Sequence, residues 1–394
     1  MIKRLTLPFL LVLLSLPLLY QSTPTEILKL KTFDALIPEQ KPSGYFTVLN
    51  ITENDIMDEG GYPLSRQRLA KIQTQIINQG AIGVGWVIAF PQPDRFGGDL
   101  QFSKALASSP SVLAMFENDN GAYPPTTGTV ILGNDVGGIE AQGVVQNIEI
   151  LKQQANQGIA VARTEVDSLV RRLPLLLRTP DGWVPAYGTE VLKVLTGADT
   201  YVIKTNENGL EQIRVKGLPP VSVDSLGRKW VSWVDTPQTD LKEMNVKDKF
   251  VFIGFTAKGI MPQLSTPVGL MEPHKIQAAL AESILIEDSP YVPDYALALE
   301  VGLFFISIIF MWFLINLSGM TLGLSSGVLL MISTVFYGNW TIQQGVLIDV
   351  TWTLISQFIT ASTAFYLKFR EQYKLRQQIK QQFGKYLDPR MVKK

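Results

Sequence analysis

Apolar positions along the chain form long uncharged runs near its two ends and short periodic runs between them. Leu5 to Tyr20 carries no charge. Ala296 to Leu367 carries no Lys or Arg, and its only acids are Glu300 and Asp349. This stretch divides into spans at about 296–316, 318–338 and 346–367, joined by Asn316-Leu-Ser-Gly and by Asn339–Gly345. Trp312, Tyr337, Trp340 and Tyr366 lie near the span ends, where aromatic belts form.

Between the apolar blocks, strand and helix patterns alternate. Tyr45-Phe-Thr-Val-Leu-Asn-Ile51 reads as a buried strand, and Glu59-Gly-Gly-Tyr-Pro63 as a turn. Leu69, Ile72, Ile76 and Ile77 recur at helical spacing within Leu64–Asn78, with Ser65 as cap and Gly80 as stop. Ala81–Phe90 is a second strand, so the order is βαβ and a parallel pair is expected. A helix near Leu100–Ser108 and a strand at Ser111–Phe116 follow. Residues 119–147 are rich in Gly and Pro and read as loops around a strand at Thr129–Leu132. Arg171–Arg178 predicts a strand, Val184–Leu195 a helix, Phe250–Phe255 a core strand and His274–Leu285 an amphipathic helix. The predicted fold class is an α/β domain with a βαβ-containing mixed sheet, followed by α-helical transmembrane segments.

Charge then orients the chain. Lys3 and Arg4 precede the first apolar run, which has no small-x-small cleavage site behind it and is read as an uncleaved signal anchor. Residues 368–394 hold nine Lys or Arg against two acids. With four spans both ends share one side, and basic flanks make that side cytoplasmic. The expected organisation is an anchor over 1–24, an extracytoplasmic domain over 25–295, three spans over 296–367 and a cytoplasmic juxtamembrane helix over 368–394. This describes a multi-pass membrane protein in contact with its lipids. Charged residues are 18% of the chain, below the roughly 25% of soluble domains. The chain total is zero, so the middle section is net acidic and no nucleic-acid partner is expected. The chain has no Cys and one His, which excludes disulfides, thiol catalysis and a multi-histidine metal site within one chain. No metal, cofactor or catalytic set is expected.

Several segments together resemble a known family. They are Gly61-Tyr-Pro-Leu-Ser-Arg66 with Gly80-Ala-Ile-Gly-Val-Gly-Trp86, and Phe90-Pro-Gln-Pro-Asp94-Arg95-Phe-Gly-Gly-Asp99. Asp167-Ser-Leu-Val-Arg171-Arg172-Leu-Pro-Leu175, Asp181-Gly-Trp-Val-Pro-Ala186, Val246–Gly254 and Thr266-Pro-Val-Gly269 before His274 continue the series. In order and spacing they are similar to the type 2 CHASE sensor domains, extracellular modules of bacterial adenylate cyclases, histidine kinases and related receptors. Met271-Glu-Pro273 departs from the family's usual Gly-containing turn, and Lys275 stands where Ala is usual. Gln382–Val392 resembles the lead-in to class III nucleotide cyclase domains. That resemblance implies a metal-dependent output domain beyond Lys394, and a homodimer, because such cyclase sites form between two copies. The chain itself is then the input half and not an enzyme.

Candidate site residues are few. Asp94 and Arg95 follow a parallel strand, where α/β domains often bind ligands, and are candidates for an anion or an ion-pair partner. Arg66 and Arg68 are candidates for an acidic ligand or belong to a solvated helix face. His274 is either a proton sensor or a structural residue opening a helix. Gly83-Val-Gly85 lacks the third Gly of a dinucleotide fingerprint, and Gly133–Gly138 is a turn cluster. Glu300 and Asp349 lie near the outer ends of their spans, as intramembrane acids or as solvated interfacial groups. Two function classes stay open: a sensor for an unidentified extracytoplasmic ligand, coupled to a cyclase or a histidine kinase, and a tethered extracytoplasmic enzyme.

Overall fold

A computed structural model of the chain describes residues 2–20, 22–286 and 289–383, so the lead-in-like segment lies outside the described residues from Gly384 onward. The chain forms two compact units, one made of the residues up to Ile37 with those from Tyr295 onward, the other of Pro38–Asp294.

The first unit is helical. Helices α1 (Ile2–Leu19) and α2 (Thr23–Leu36) open the chain. Numbering passes through the second unit, and α9 (Ala296–Leu317), α10 (Met320–Gln343) and α11 (Thr351–Phe383) complete the first. The sequence reading placed residues from 25 onward with the soluble domain. The structure puts α2 in the helical unit, where it buries Leu30 and Phe33. Among the described residues two helices, α9 and α10, are long and apolar enough to cross a membrane, and α1 reaches that standard only as a bent pair with α2. Helix α11 starts at Thr351 rather than 346, and a buried polar stripe of Thr353, Ser356, Gln357 and Thr360 lowers its hydropathy. Helices α9 and α10 approach closely through Gly323 and Gly327, where an added Cβ would sit 3.1 Å from Ile315 Cα or Met311 Sδ. Glu300 and Asp349 are buried rather than solvated: Glu300 pairs with Lys29 of α2 at 3.2 Å and accepts the Asp349 N–H at 2.8 Å. The Lys368 ammonium donates to the Ile315 and Ser318 carbonyls at the end of α9, satisfying groups the helix leaves open.

The second unit is built on one mixed sheet. Its strands are β1 (Phe46–Ile51), β2 (Gly83–Trp86), β3 (Ser111–Ala122), β4 (Val144–Val145), β5 (Asn156–Ile159), β6 (Gln238–Asp240) and β7 (Phe250–Phe255). Their order is β6-β1-β7-β2-β3, with β5 parallel and β4 antiparallel to β3. Strands β1 and β2 are parallel as the βαβ pattern implies, but they do not pair with each other. Strand β7, arriving far downstream, takes the slot between them and pairs with both. Its residues alternate between two cores. Phe250 and Phe252 pack with α7 (Tyr187–Thr196) and α8 (Pro273–Leu285) on one face. Val251, Ile253 and Phe255 pack with α4 (Arg66–Asn78) and α5 (Asp99–Ala107) on the other. The short helices α3 (Glu53–Asp58) and α6 (Glu149–Lys152) lie in the connections. A sheet covered on both faces needs apolar runs rather than alternation, which Phe250-Val-Phe-Ile253 supplies. Gly85 of β2 lies against the Phe250 ring and the Tyr187 hydroxyl, leaving no room for a side chain. The Gly83-Val-Gly85 signal is therefore one of packing.

The excursion from β5 to β6 differs from its sequence reading. Arg171–Arg178 breaks at Leu175 into strands Arg172–Pro174 and Leu176–Thr179. Gly182–Pro185 is a strand before α7 begins. An antiparallel hairpin, Thr200–Asn206 with Gly209–Val215, also pairs with Gly128–Leu132. Just ahead of strand Arg172–Pro174 the fully buried Arg171 guanidinium meets Asp167 through two bonds of 2.7 Å. Truncating a large, fully buried side chain typically costs about 3–5 kcal/mol through the cavity it leaves, and here it also strips the half-buried Asp167 of its partner. Arg171→Ala is therefore expected to lower unfolding stability by about that amount, read by denaturant titration of tryptophan fluorescence. A loss below about 0.5 kcal/mol, the range of ordinary surface changes, would show that the pair does not hold this region.

Candidate functional site

The carboxyl ends of β1, β7 and β2 open a cleft of about 370 Å³. Its position follows from the connections. β1 and β2 lead to α4 and α5 on one face, whereas β7 between them leads to α8 on the other. Loops diverging to opposite faces leave a crevice at the strand ends, the usual ligand position of α/β sheets. The walls are Tyr62, Leu64, Phe90, the prolines of Pro91-Gln92-Pro93, and Phe255 at the tip of β7. A broader groove of about 990 Å³ runs between α4 and α5, but it is lined mainly by Gln, Lys, Thr and Ser and gathers no such set of rings.

Arg66 opens α4, and its guanidinium lies over the Phe90 ring at 4.2 Å, with Asp99 3.7 Å from its Nε. Burial lowers the Arg66 pKa, against the opposing pull of Asp99 and Asp94. Asp94 is the hub of the neighbouring loop. Its Oδ2 accepts the Arg66 N–H at 2.9 Å and the Gly98 N–H at 3.1 Å, and its Oδ1 accepts Phe96 N–H at 3.2 Å. Asp99 in turn accepts the Asp94 N–H at 2.8 Å. Partial burial works to raise the Asp94 pKa, but these three N–H groups and the Arg66 charge outweigh it and hold the carboxyl below its usual range. Asp94 thus occupies the N-terminus of α4 where an anion would otherwise sit. Arg95 is exposed on the rim, stacked on Phe96 at 4.6 Å.

The structure brings Arg66, Asp94 and Arg95 together and leaves two candidates apart. Arg68 points to Glu59, 2.7 Å away, and is not in the cleft wall. His274 is buried at the start of α8 on the opposite face of β7, over Gly254, where a Cβ would overlap its ring. Its Nε2 is 2.9 Å from Asn50 Oδ1. Burial pushes its pKa down to about 3, with Glu272 opposing, so it is neutral across ordinary pH. This is a structural histidine rather than a proton sensor. Sequence reasoning missed the cleft's apolar walls. Tyr62 lies inside the Gly61–Arg66 segment and Phe255 follows the β7 glycine, but nothing local says that they meet; their rings are 5.5 Å apart and edge-on. Among the described residues no three of His, Cys, Asp and Glu gather as metal ligands would.

A doubly covered sheet with a crevice at its strand ends is thus followed in the chain by two helices long and apolar enough to cross a membrane. The chain matches the CHASE2 domain family over residues 9–318 and belongs to that family of extracellular sensor domains. No curated protein and no solved structure matches it.

Two acid windows follow. His274 titrates near 3 when folded, and near 6.5 as a free histidine, so the folded form binds fewer protons. Its stabilisation is complete above about pH 6.5 and is lost as pH falls toward 3. Asp94, with a lowered pKa, adds a loss below about pH 4. His274→Gln, which keeps a donor for Asn50, is expected to flatten the fall of melting temperature between about pH 6.5 and 4. Asp94→Ala should lower stability by about 1 kcal/mol at neutral pH, as lost helix caps do. Wild-type slope in His274→Gln would rule out the buried neutral imidazole as the source.

Proposed function

We propose that the protein is the input module of a membrane receptor that recognises an extracytoplasmic small molecule in the Tyr62–Phe255 cleft. The module passes the signal through its membrane helices to a cytoplasmic class III nucleotide cyclase. The observation that carries this reading is the crevice at the switch of connections in a sheet of a sensor family. The cyclase part rests on the resemblance of Gln382–Val392 to a cyclase lead-in. The chain acts without turnover of its own; its partners are the ligand, membrane lipids and a second copy of itself. A ligand shifts the receptor only through unequal affinity for two states, and a difference of about 1–3 kcal/mol is ordinary for such coupling.

Ala89 lines the cleft and is partly exposed. Compounds that raise the melting temperature of the wild type are expected to lose that effect on Ala89→Trp, which fills the space. Hits that stabilise both proteins equally would move recognition away from the cleft.

The basic ends support a cytoplasmic C-terminus under the same proposal, and α11 continues without a break from Thr351 to Phe383. Its Lys368–Gln382 portion is exposed in the single chain apart from Lys368. Single Cys residues across this portion are readily placed, since the chain has none. They should react with an impermeant maleimide only after the cell membrane is opened. Disulfide crosslinking should peak about every 3.5 residues, as paired helices require. Labelling in intact cells would overturn the orientation, and uniformly absent crosslinks with a monomeric mass would overturn the dimer.

A further inference from the structure

The two segments by which the second unit joins the rest of the chain are 38–45, which follows α2, and 289–294, which precedes α9. Both are fastened from inside the domain by buried charged side chains. Glu282, in the last turn of α8, is fully buried. Its Oε2 accepts the Ser43 N–H at 2.7 Å, and its Oε1 has no hydrogen-bond partner among the described residues. Lys229 is buried in strand Arg228–Trp230. Its ammonium donates to the carbonyls of Ser289 at 3.2 Å and Pro290 at 3.3 Å.

A short polar bridge joins the two fastenings. The hydroxyls of Ser232 and Ser289 are 3.3 Å apart. The Ser232 N–H donates to Ser283 Oγ at 2.8 Å, and Ser283 is the residue after Glu282. Ser283 Oγ itself donates to the Ala279 carbonyl at 2.6 Å, which fixes it to α8.

We propose that the last turn of α8 is a clamp that holds the incoming and outgoing tethers of the domain as one mechanical unit. Among the described residues both groups bond only neutral partners, and a buried charged side chain is a costly way to hold a loop. Burial lowers the Lys229 pKa to about 8 and raises that of Glu282, so each is held against its preference for water. Groups in that position report a geometry that must be kept: once either tether moves, its charged partner gains by moving into water. Because Ser232 joins Ser283 of α8 to Ser289 of the outgoing tether, the tethers leave together or not at all, and relative sliding of one against the other is blocked while the clamp is shut.

Hydrogen exchange on the full chain in lipid nanodiscs tests this, read at the amides of 43–45 and 289–294. Lys229→Met should speed exchange about tenfold at both tethers, although Lys229 does not touch Ser43. Glu282→Ala should do the same, and Glu282→Gln, whose amide oxygen still accepts from Ser43, should stay near wild type. Ser283→Ala touches neither tether and keeps every charge, so it serves even where a charge variant fails to fold; it too should loosen both. Variants that loosen only the tether they contact, or a Ser283→Ala chain that exchanges like wild type, would overturn the clamp.

Discussion

The slot between β1 and β2 is the constraint on which the domain depends. Whatever strand fills it is covered on both faces, so every side chain must be apolar and every backbone group paired. Phe250, Val251, Phe252 and Ile253 are all fully buried there, each contributing roughly 1.5–3 kcal/mol by leaving water. The strand is parallel to both neighbours, yet the chain must leave its carboxyl end for α8 on the face opposite α4 and α5. That divergence opens the cleft. It also explains Gly254: with Phe255 turned to the cleft side, the position before it faces α8, and only a glycine leaves room for the His274 ring.

The charged groups nearest the cleft are largely spent on building it. Asp94 closes a loop, caps a helix and steadies the Arg66 backbone, while Asp99 balances the Arg66 side chain. A carboxylate at the helix N-terminus makes the inner wall a poor anion site. What remains for a ligand is a set of rings and prolines with Arg95 at the rim. Such a surface favours a molecule with an apolar body and directional contacts at one end, as small-molecule sites generally do.

Local patterns in the sequence carried the individual elements well where one element decides its own structure. The α4 stripe of Leu69, Ile72 and Ile76, its Ser65 cap and the apolar run of β7 all take the predicted form. The α/β class and the family resemblance were legible for the same reason. Pairing was not. That β7 separates β1 from β2 depends on a strand distant in sequence, and periodicity carries no record of partner choice. The hairpin at Thr200–Val215 went unread because its strands are only partly buried and mix polar with apolar residues. Candidate site residues fared unevenly on the same grounds. Asp94 and Arg95 were singled out by their place after a strand, and the structure puts both at the cleft. The burial that makes His274 neutral comes from a glycine in a different strand, and a single position in a sequence does not show it.

Helix α8 connects these features. Its first turn carries His274, seated on the strand whose tip, Phe255, walls the cleft. Its last turn carries Glu282 and Ser283, at the tethers. A helix of 13 residues spans about 20 Å at 1.5 Å per residue and changes length little under load. Close-packed interiors respond to displacement by shifting whole elements rather than by deforming smoothly. On the proposed reading, a cleft ligand that moved Phe255 would act on α8 through Gly254 and His274, and the proposed clamp would carry that displacement to both tethers at once. The buried neutral histidine fits this role better than a titrating one. A charge appearing at that seat would disturb the packing with every change in acidity, whereas a neutral ring bonded to Asn50 passes on only displacement.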